Sequence, residues 1–489
     1  MRQKLNGLAG CLATWGLIAL AAGCMDHSTM MLPQVLDVAP YQGSWDLLKF
    51  ADKNADPNIV EVDLEAKVGQ AEFLPGKMTP VWTYNGGTPG PTLEVKVGDK
   101  VIVHFKNSLP EPTTIHWHGV RVPNDMDGVT LMQQPIAAGG SFDYTFTAQD
   151  AGTFWYHPHH RSDVQVEKGL YGAIVVRGPM EPTLSAERVA ILDDVYLDSD
   201  GMPMPQGSAD ELMIGRQGNL LLVNGKPRPI TTLRAGERHR FRFINAANAR
   251  YFRLALPGHK LTLLGVDGGL LEVPRQLDEL MLVPGERADV VVTATGSPGE
   301  ELDIMTMPYE RGHGSGMLPA AKVMQVRYTG EVATTTPMLQ PNFRSIDALP
   351  VPVRSRMFVL AENQPASGGG HSGGHGGSAG GSPSFTINGQ AFPNITPLAA
   401  KLGETELWEV ISDEEIDHPF HIHGFFFQVL SRGGIPEPFR AWKDTVNIKG
   451  KQTLQLAVRF DGFDGKWLFH CHILEHSENG MTGELDITK

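Results

Sequence analysis

Four times in this chain two histidines stand one residue apart: His116/His118, His157/His159, His421/His423 and His470/His472. With 18 histidines in 489 positions, random placement gives roughly 0.7 such pairs, so four of them ask for a cause. Successive side chains of a β-strand point to opposite faces, so each pair sends both imidazoles to one side. Eight imidazoles gathered at one place would supply three metal ions with three, three and two ligands, leaving positions open to water or dioxygen.

Cys471 lies between His470 and His472, and the same alternation turns its sulfur to the opposite face, into its own domain. His476 and Met481 follow it by five and ten positions, and His418 stands just ahead of the His421 pair. Two imidazoles, a thiolate and a weak thioether are the ligands of blue-copper sites, so a second, single-ion centre is expected here. Cysteine usage agrees with this. Cys11 and Cys24 fall in an N-terminal leader, which leaves Cys471 in the body without a partner for a disulfide. An unpaired thiol in an exported protein points to metal ligation.

Strands must position these groups. Period-two alternation recurs at Leu93, Val95, Val97, at Val101, Val103, Phe105, at Phe241, Phe243 and at Leu454, Leu456, Val458, Phe460. With 55 Gly and 35 Pro the chain is too turn-rich for a helical bundle, and the reading is all-β, built of sandwiches or barrels. Internal repeats divide it. Gly98-Asp99 opens a strand that reaches His116 after 18 residues, and Gly403-Glu404 opens another that reaches His421 after 18; Gly236-Glu237 is a third opening, with Leu254 where the histidine would stand. Three copies of one β domain follow, at 45–178, 179–335 and 345–489, the middle one a spacer without ligands. A net charge of -14 would repel a phosphate backbone, so a nucleic-acid partner is not expected.

Arg2 and Lys4 precede an uncharged stretch from Leu8 to Ala22, the layout of an export signal. Leu20 to Cys24 resembles a bacterial lipobox. The expectation is a signal of residues 1–23, a lipid on Cys24 and a periplasmic or membrane-anchored protein, with a plain cleaved signal or an uncleaved anchor as alternatives. The missing twin arginine points to metal loading outside the cytoplasm. Ser367 to Ser384 is almost all Gly and Ser with His371 and His375; it reads as a flexible loop of the third domain or, alternatively, as a copper-collecting loop.

The strings HWHG, WYHPHH, HPFHIHG and HCHILEHSENGM are similar to the four copper-binding signatures of the three-domain multicopper oxidases, a family that includes laccases, bilirubin oxidases and bacterial cuprous oxidases. The resemblance implies three consecutive cupredoxin domains, each a Greek-key β-barrel, and four copper ions. It implies that His418, Cys471, His476 and axial Met481 hold type 1 copper, and His116 and His421 the type 2 ion. One type 3 copper would fall to His118, His157 and His472, the other to His159, His423 and His470. His160 is a spare.

The resemblance also implies that a donor gives one electron at the type 1 site, that Cys471 passes it on through His470 and His472, and that four such transfers reduce O2 to water. An axial Met suggests a low-to-middle potential. Asp127 matches the acid that relatives place near the cluster for proton delivery; a second acid that many relatives carry is replaced by Ser477, with Glu478 or water as substitutes. Asp413, Glu414, Glu415 and Asp417 crowd before His418, and Glu414 is the candidate acid on the substrate side. Met305, Met307, His313 and Met317 would line a metal or substrate mouth or simply pack. The loop 367–384 holds no methionine, and Ile416 stands where cuprous oxidases tend to have Met. The expected activity is therefore laccase-like oxidation of phenolic or similar donors by a monomer. The alternatives are a cuprous oxidase of copper tolerance and a non-catalytic copper-binding or assembly protein.

Overall fold

The computed structural model describes residues 32–312, 316–363 and 384–489. The signal, Cys24, His313 and nearly all of the loop 367–384 lie outside the described residues.

Six sheets pair into three sandwiches, each closed around its own apolar core. In the first, a sheet ordered Lys77–Tyr84, Ile59–Leu74, Lys100–Ser108, Ser141–Thr147 shares its core with a sheet ordered Leu93–Lys96, Gly172–Arg177, Gly152–His157, His116–His118. Alternation sets the faces: Val101, Val103 and Phe105 turn into the core, while Lys100, His104 and Lys106 between them do not. Each such side chain contributes about 1.5–3 kcal/mol on leaving water, so the buried face sets the register. Val97 departs from the alternation expected for it: the strand ends at Lys96 and Val97 is exposed.

The middle sandwich pairs a seven-stranded with a five-stranded sheet, and the third a six-stranded with a five-stranded sheet. Gly98, Gly236 and Gly403, the openings of the three sequence repeats, all take positive φ (95°, 90° and 82°), so the three copies share one turn that a side chain would strain. Leu254 then packs in the middle core at the point where its counterparts carry histidine. The boundary at 45 needs correction. Trp45 does not join the first domain: its ring packs in the middle core and its Nε1 donates to Ile230 O at 2.9 Å.

The same histidine-bearing strand pair occurs at both ends of the chain. His116–His118 runs antiparallel to Gly152–His157 with His116 opposite His157, and His418–Ile422 runs antiparallel to Gly465–Cys471 with His421 opposite His470. Trp117 points into the first core, and Phe420, Ile422, Phe469 and Cys471 into the third. Strand parity therefore sends the neighbouring histidines out of both cores, toward each other.

Candidate metal centres

The eight paired histidines converge where the outer sandwiches meet. His118 stacks on His421 at 3.9 Å between ring centroids and His116 on His423 at 4.0 Å, each contact joining one end of the chain to the other. The Nε2 atoms of His159 and His423 lie 3.4 and 3.1 Å from Nε2 of His470, close enough for one ion to take all three. His116, His118 and His157 form a second group, and His116, His421 and His423 a third. The His472 ring sits 4.9 Å from that of His118 and 5.7 Å from that of His157.

Most of these rings are held by one nitrogen and offer the other, while His472 has a partner on neither. His116 Nδ1 donates to Asp127 O (3.0 Å), His157 Nδ1 to Pro158 O (2.9 Å), His421 Nδ1 to Asp444 O (2.9 Å) and His470 Nδ1 to Cys471 O (2.8 Å), leaving Nε2 for an ion. His118 is reversed: its Nε2 meets Thr445 Oγ1 at 3.2 Å and its Nδ1 is the offered atom. Buried nitrogens without a partner remain on His116, His118, His157, His421 and His472. Leaving buried donors or acceptors unpaired costs about 1–3 kcal/mol each, so the cluster fits a set of bound cations and is ill at ease without them. Burial, and then the neighbouring imidazoles, hold His118, His157, His423 and His470 well below the ordinary histidine range and His159 down at about 3. The rings thus keep neutral lone pairs, the form that binds metal.

A second group lies in the third core. Cys471 Sγ is 3.5 Å from His418 Nδ1 and 3.7 Å from His476 Nδ1, and these two nitrogens are 3.3 Å apart. This small triangle of one sulfur and two imidazoles fits a soft cation such as copper. His476 is fixed by Nε2 on Met213 O at 3.0 Å and by stacking on Phe385 at 4.1 Å. Met481 is buried in the same core, and its carbonyl accepts from Cys471 N. Burial, with the Arg311 guanidinium second, holds His418 down at about 3; burial pushes the Cys471 thiol up, so its thiolate requires a cation.

The acids singled out in the sequence divide by position. Asp127 is buried between the two ends of the chain. Its Oδ2 accepts from His423 Nδ1 at 2.8 Å and its carbonyl from His116, which makes it an orienting group for two of the paired histidines, and its Oδ1 remains unpartnered. Glu414 is turned away from His418: its Oε1 accepts from the backbone of Glu362 at 2.5 Å. Asp417, next to His418, is buried and bound by the Tyr309 hydroxyl (2.5 Å), Asn447 Nδ2 (2.8 Å) and Gly450 N. Ser477 meets Thr482, and Glu478 spends its Oε1 on the backbone and hydroxyl of Ser162 in the first domain. Met307 lines a cavity of about 20 Å³ with Tyr309 and Arg311, whereas Met317 is exposed. His160 is half-buried beside the cluster strand.

Sequence reasoning missed Asp444 and Arg287. Asp444 Oδ1 lies 3.4 Å from His118 Nε2 and accepts from Thr445 Oγ1 at 2.8 Å, while Arg287 of the middle domain grips both its oxygens at 2.6 and 2.5 Å. Burial alone drives the Asp444 carboxyl upward, but Arg287 and the imidazoles reverse this and hold it well below the usual carboxylate range. Arg287 also donates to Thr153 O in the first domain, so the middle domain touches the cluster's support from both sides. No local spacing marks this pair. The Asp-Thr step at 444–445, following the His421 pair, is the one signal available.

Three family profiles, each described as multicopper oxidase, match residues 65–181, 187–312 and 371–489. The multicopper oxidase MmcO of Mycobacterium tuberculosis is 32% identical over 447 residues, 84% of each chain. A laccase of Bacillus subtilis is 28% identical over 94% of this chain and 99% of its own. Among solved structures, a Campylobacter jejuni multicopper oxidase described as a metallo-oxidase superposes with a TM-score of 0.81 at 32% identity, covering 94% of this chain and 96% of its own.

Proposed function

The chain belongs to the multicopper oxidase family, and from that premise we propose that it is a laccase-like oxidase that couples four one-electron oxidations of phenolic or similar donors to reduction of O2 to water. The observation that carries the reading is the set of unpartnered imidazole nitrogens gathered between the outer sandwiches, beside a separate Cys–His–His triangle. We assign type 1 copper to His418, Cys471, His476 and Met481, and three further ions to His116, His118, His157, His159, His421, His423, His470 and His472. Bound copper would supply the one-electron chemistry and the electrons that O2 requires.

The chain's own residues do the rest. Cys471 is joined by single peptide links to His470 and His472, so the two ligand sets are covalently contiguous. Asp127 and Asp444 fix which nitrogen His116, His118, His421 and His423 present. The unpartnered Oδ1 of Asp127, buried beside His116, is the best-placed oxygen to hold a proton at the cluster. The leader supports export and a lipid on Cys24, and the protein acts outside the cytoplasm as a monomer.

Cu(I) oxidation is the second reading, favoured by the likeness to a structure described as a metallo-oxidase. It fits less well, because the acidic run before His418 offers few free ligands. Asp417 and Glu414 are engaged as described, and Asp413 faces Lys451. Metal analysis should give four copper ions per chain. Oxygen uptake with a phenol should exceed that with Cu(I), and should not depend on added Cu(II); the reverse order would favour the metallo-oxidase reading, and copper-loaded protein that consumes no oxygen with either donor would favour a non-catalytic role.

A further inference from the structure

Among the described residues six arginines are buried: Arg216, Arg240, Arg242, Arg250, Arg287 and Arg311. Five of them face carboxylates. Arg216 meets Glu167 and Glu211, Arg240 and Arg242 share Asp289 and Glu181, Arg250 meets Asp194, and Arg287 meets Asp444. Arg311 is different: 3% exposed, it donates from Nη1 to Ala249 O at 3.1 Å and from Nη2 to Ile214 O at 2.6 Å, lies 5.4 Å from the centre of the Tyr251 ring, and forms no ion pair among the described residues. A buried cation without a counter-charge is costly, and truncating such networks is usually felt strongly.

The position of this charge is informative. Ile214 follows Met213, whose carbonyl holds His476 Nε2; Ala249 packs in the core that contains Cys471 and Met481; and the carbonyl of Arg311 accepts from Asp417 N, next to His418, at 2.8 Å. The guanidinium therefore sits among the supports of both imidazoles of the sulfur-centred site. Two carboxyl groups act on it from farther off. The oxygens of Asp417 are taken by Tyr309, Asn447 and Gly450, and Glu475 is directed to Asn248.

We propose that Arg311 sets the potential of the type 1 copper, as a buried cation without a direct ion-pair partner that favours the reduced site over the oxidised one. The proposal rests on the copper assignment above. Cu(II) with one thiolate and two neutral imidazoles carries a net charge of one; Cu(I) in the same ligands carries none. A fixed positive neighbour in a poorly polarisable interior raises the energy of the first relative to the second. Arg311 gains and loses neither proton nor electron: one electron leaves the donor, one enters the site, and the fixed charge biases that exchange. The bias works against the low-to-middle potential expected with Met481 as a ligand and extends the usable donors toward those harder to oxidise.

The test is a redox titration of copper-loaded Arg311→Gln, with copper content and the thiolate-to-copper absorption band recorded first. The equilibrium constant for reduction by a given mediator should fall about tenfold, a downward shift of about 59 mV for one electron. Arg311→Lys should stay near the wild type, which a purely structural role would not predict. Should the Gln variant not fold, Gln217→Glu gives the same readout with the arginine retained. Gln217 is buried, its Nε2 has no partner, and it lines the same small cavity as Arg311, so a carboxylate there places a negative charge on the cavity wall that the guanidinium shares. An unchanged or raised midpoint in either loaded variant overturns the proposal, whereas wild-type protein that folds but shows no thiolate-to-copper band overturns the copper assignment beneath it.

Discussion

Two buried polar clusters occupy this molecule and treat their charges in opposite ways. On the middle sandwich, Arg240 and Arg242 converge on Asp289, whose other oxygen accepts from Thr153 Oγ1 at 2.6 Å, and Glu181 and Glu187 complete the set. Between the outer sandwiches, five histidines keep a buried ring nitrogen that no protein group meets. Both clusters are hidden from water, so both bear a desolvation cost. The first offsets it with ion pairs inside the protein, although Arg240 Nε and Arg242 Nε keep no hydrogen-bond partner. The second is organised on the outward side of most of its rings, by Asp127, Asp444, Thr445 and backbone carbonyls, and its inward side is left for a ligand. Counter-charge supplied from within the protein, rather than polarity or burial, separates this structural network from the candidate binding site.

Substitutions should separate the two clusters by phenotype. The largest effect is expected from Cys471→Ser: oxygen uptake falls to background and the sulfur-to-copper absorption band is lost, while circular dichroism keeps the β signature. Asp444→Ala removes the support of His118 and His421 and should weaken copper binding at the cluster by about 10–100-fold, read by competition with a chelator. Asp289→Ala is the mirror experiment. It removes the most deeply buried carboxylate that Arg240 and Arg242 share, leaving them Glu181 and Glu187, and should lower stability by up to about 3 kcal/mol in denaturant titration, with copper content unchanged. Its pH dependence has a definite sign. Burial raises the Asp289 carboxyl but the two arginines overcome this and hold it down at about 2, so its contribution is fully present above the unfolded value of about 3.9 and is lost as pH falls through 2. The smallest effect is expected outside both clusters, at half-buried His104, which Glu61 and Asp143 raise above its ordinary value. Its stabilisation is present below about 6.5 and fades as pH rises through the folded value; His104→Gln should remove that slope and leave turnover alone.

Much of this was legible in the chain because it obeys short periods. The parity of two explains why Trp117 enters a core while His116 and His118 leave it, and why Cys471 belongs to a different site from His470 and His472. The three glycine turns exposed the repeat. What was not legible depends on chain segments that meet only after folding. Arg287 reaches Asp444 across 157 positions, and nothing near either residue announces it. Glu414 looked well placed by proximity to His418, yet proximity along a turn does not decide direction, and the backbone of Glu362 claims its oxygen. Trp45 joined the wrong domain for the same reason: a segment ahead of one sandwich found its apolar partner in the next.

The stacked contact of His118 with His421, and the bond of His118 to Thr445 across 327 positions, give the metal a mechanical part as well. Each outer sandwich has its own core, so ions shared between them would act as rivets along a seam. Stripping them with a chelator should leave the sandwiches intact and let the seam breathe, with amide hydrogens at 116–118 and 421–423 exchanging faster before any core strand does.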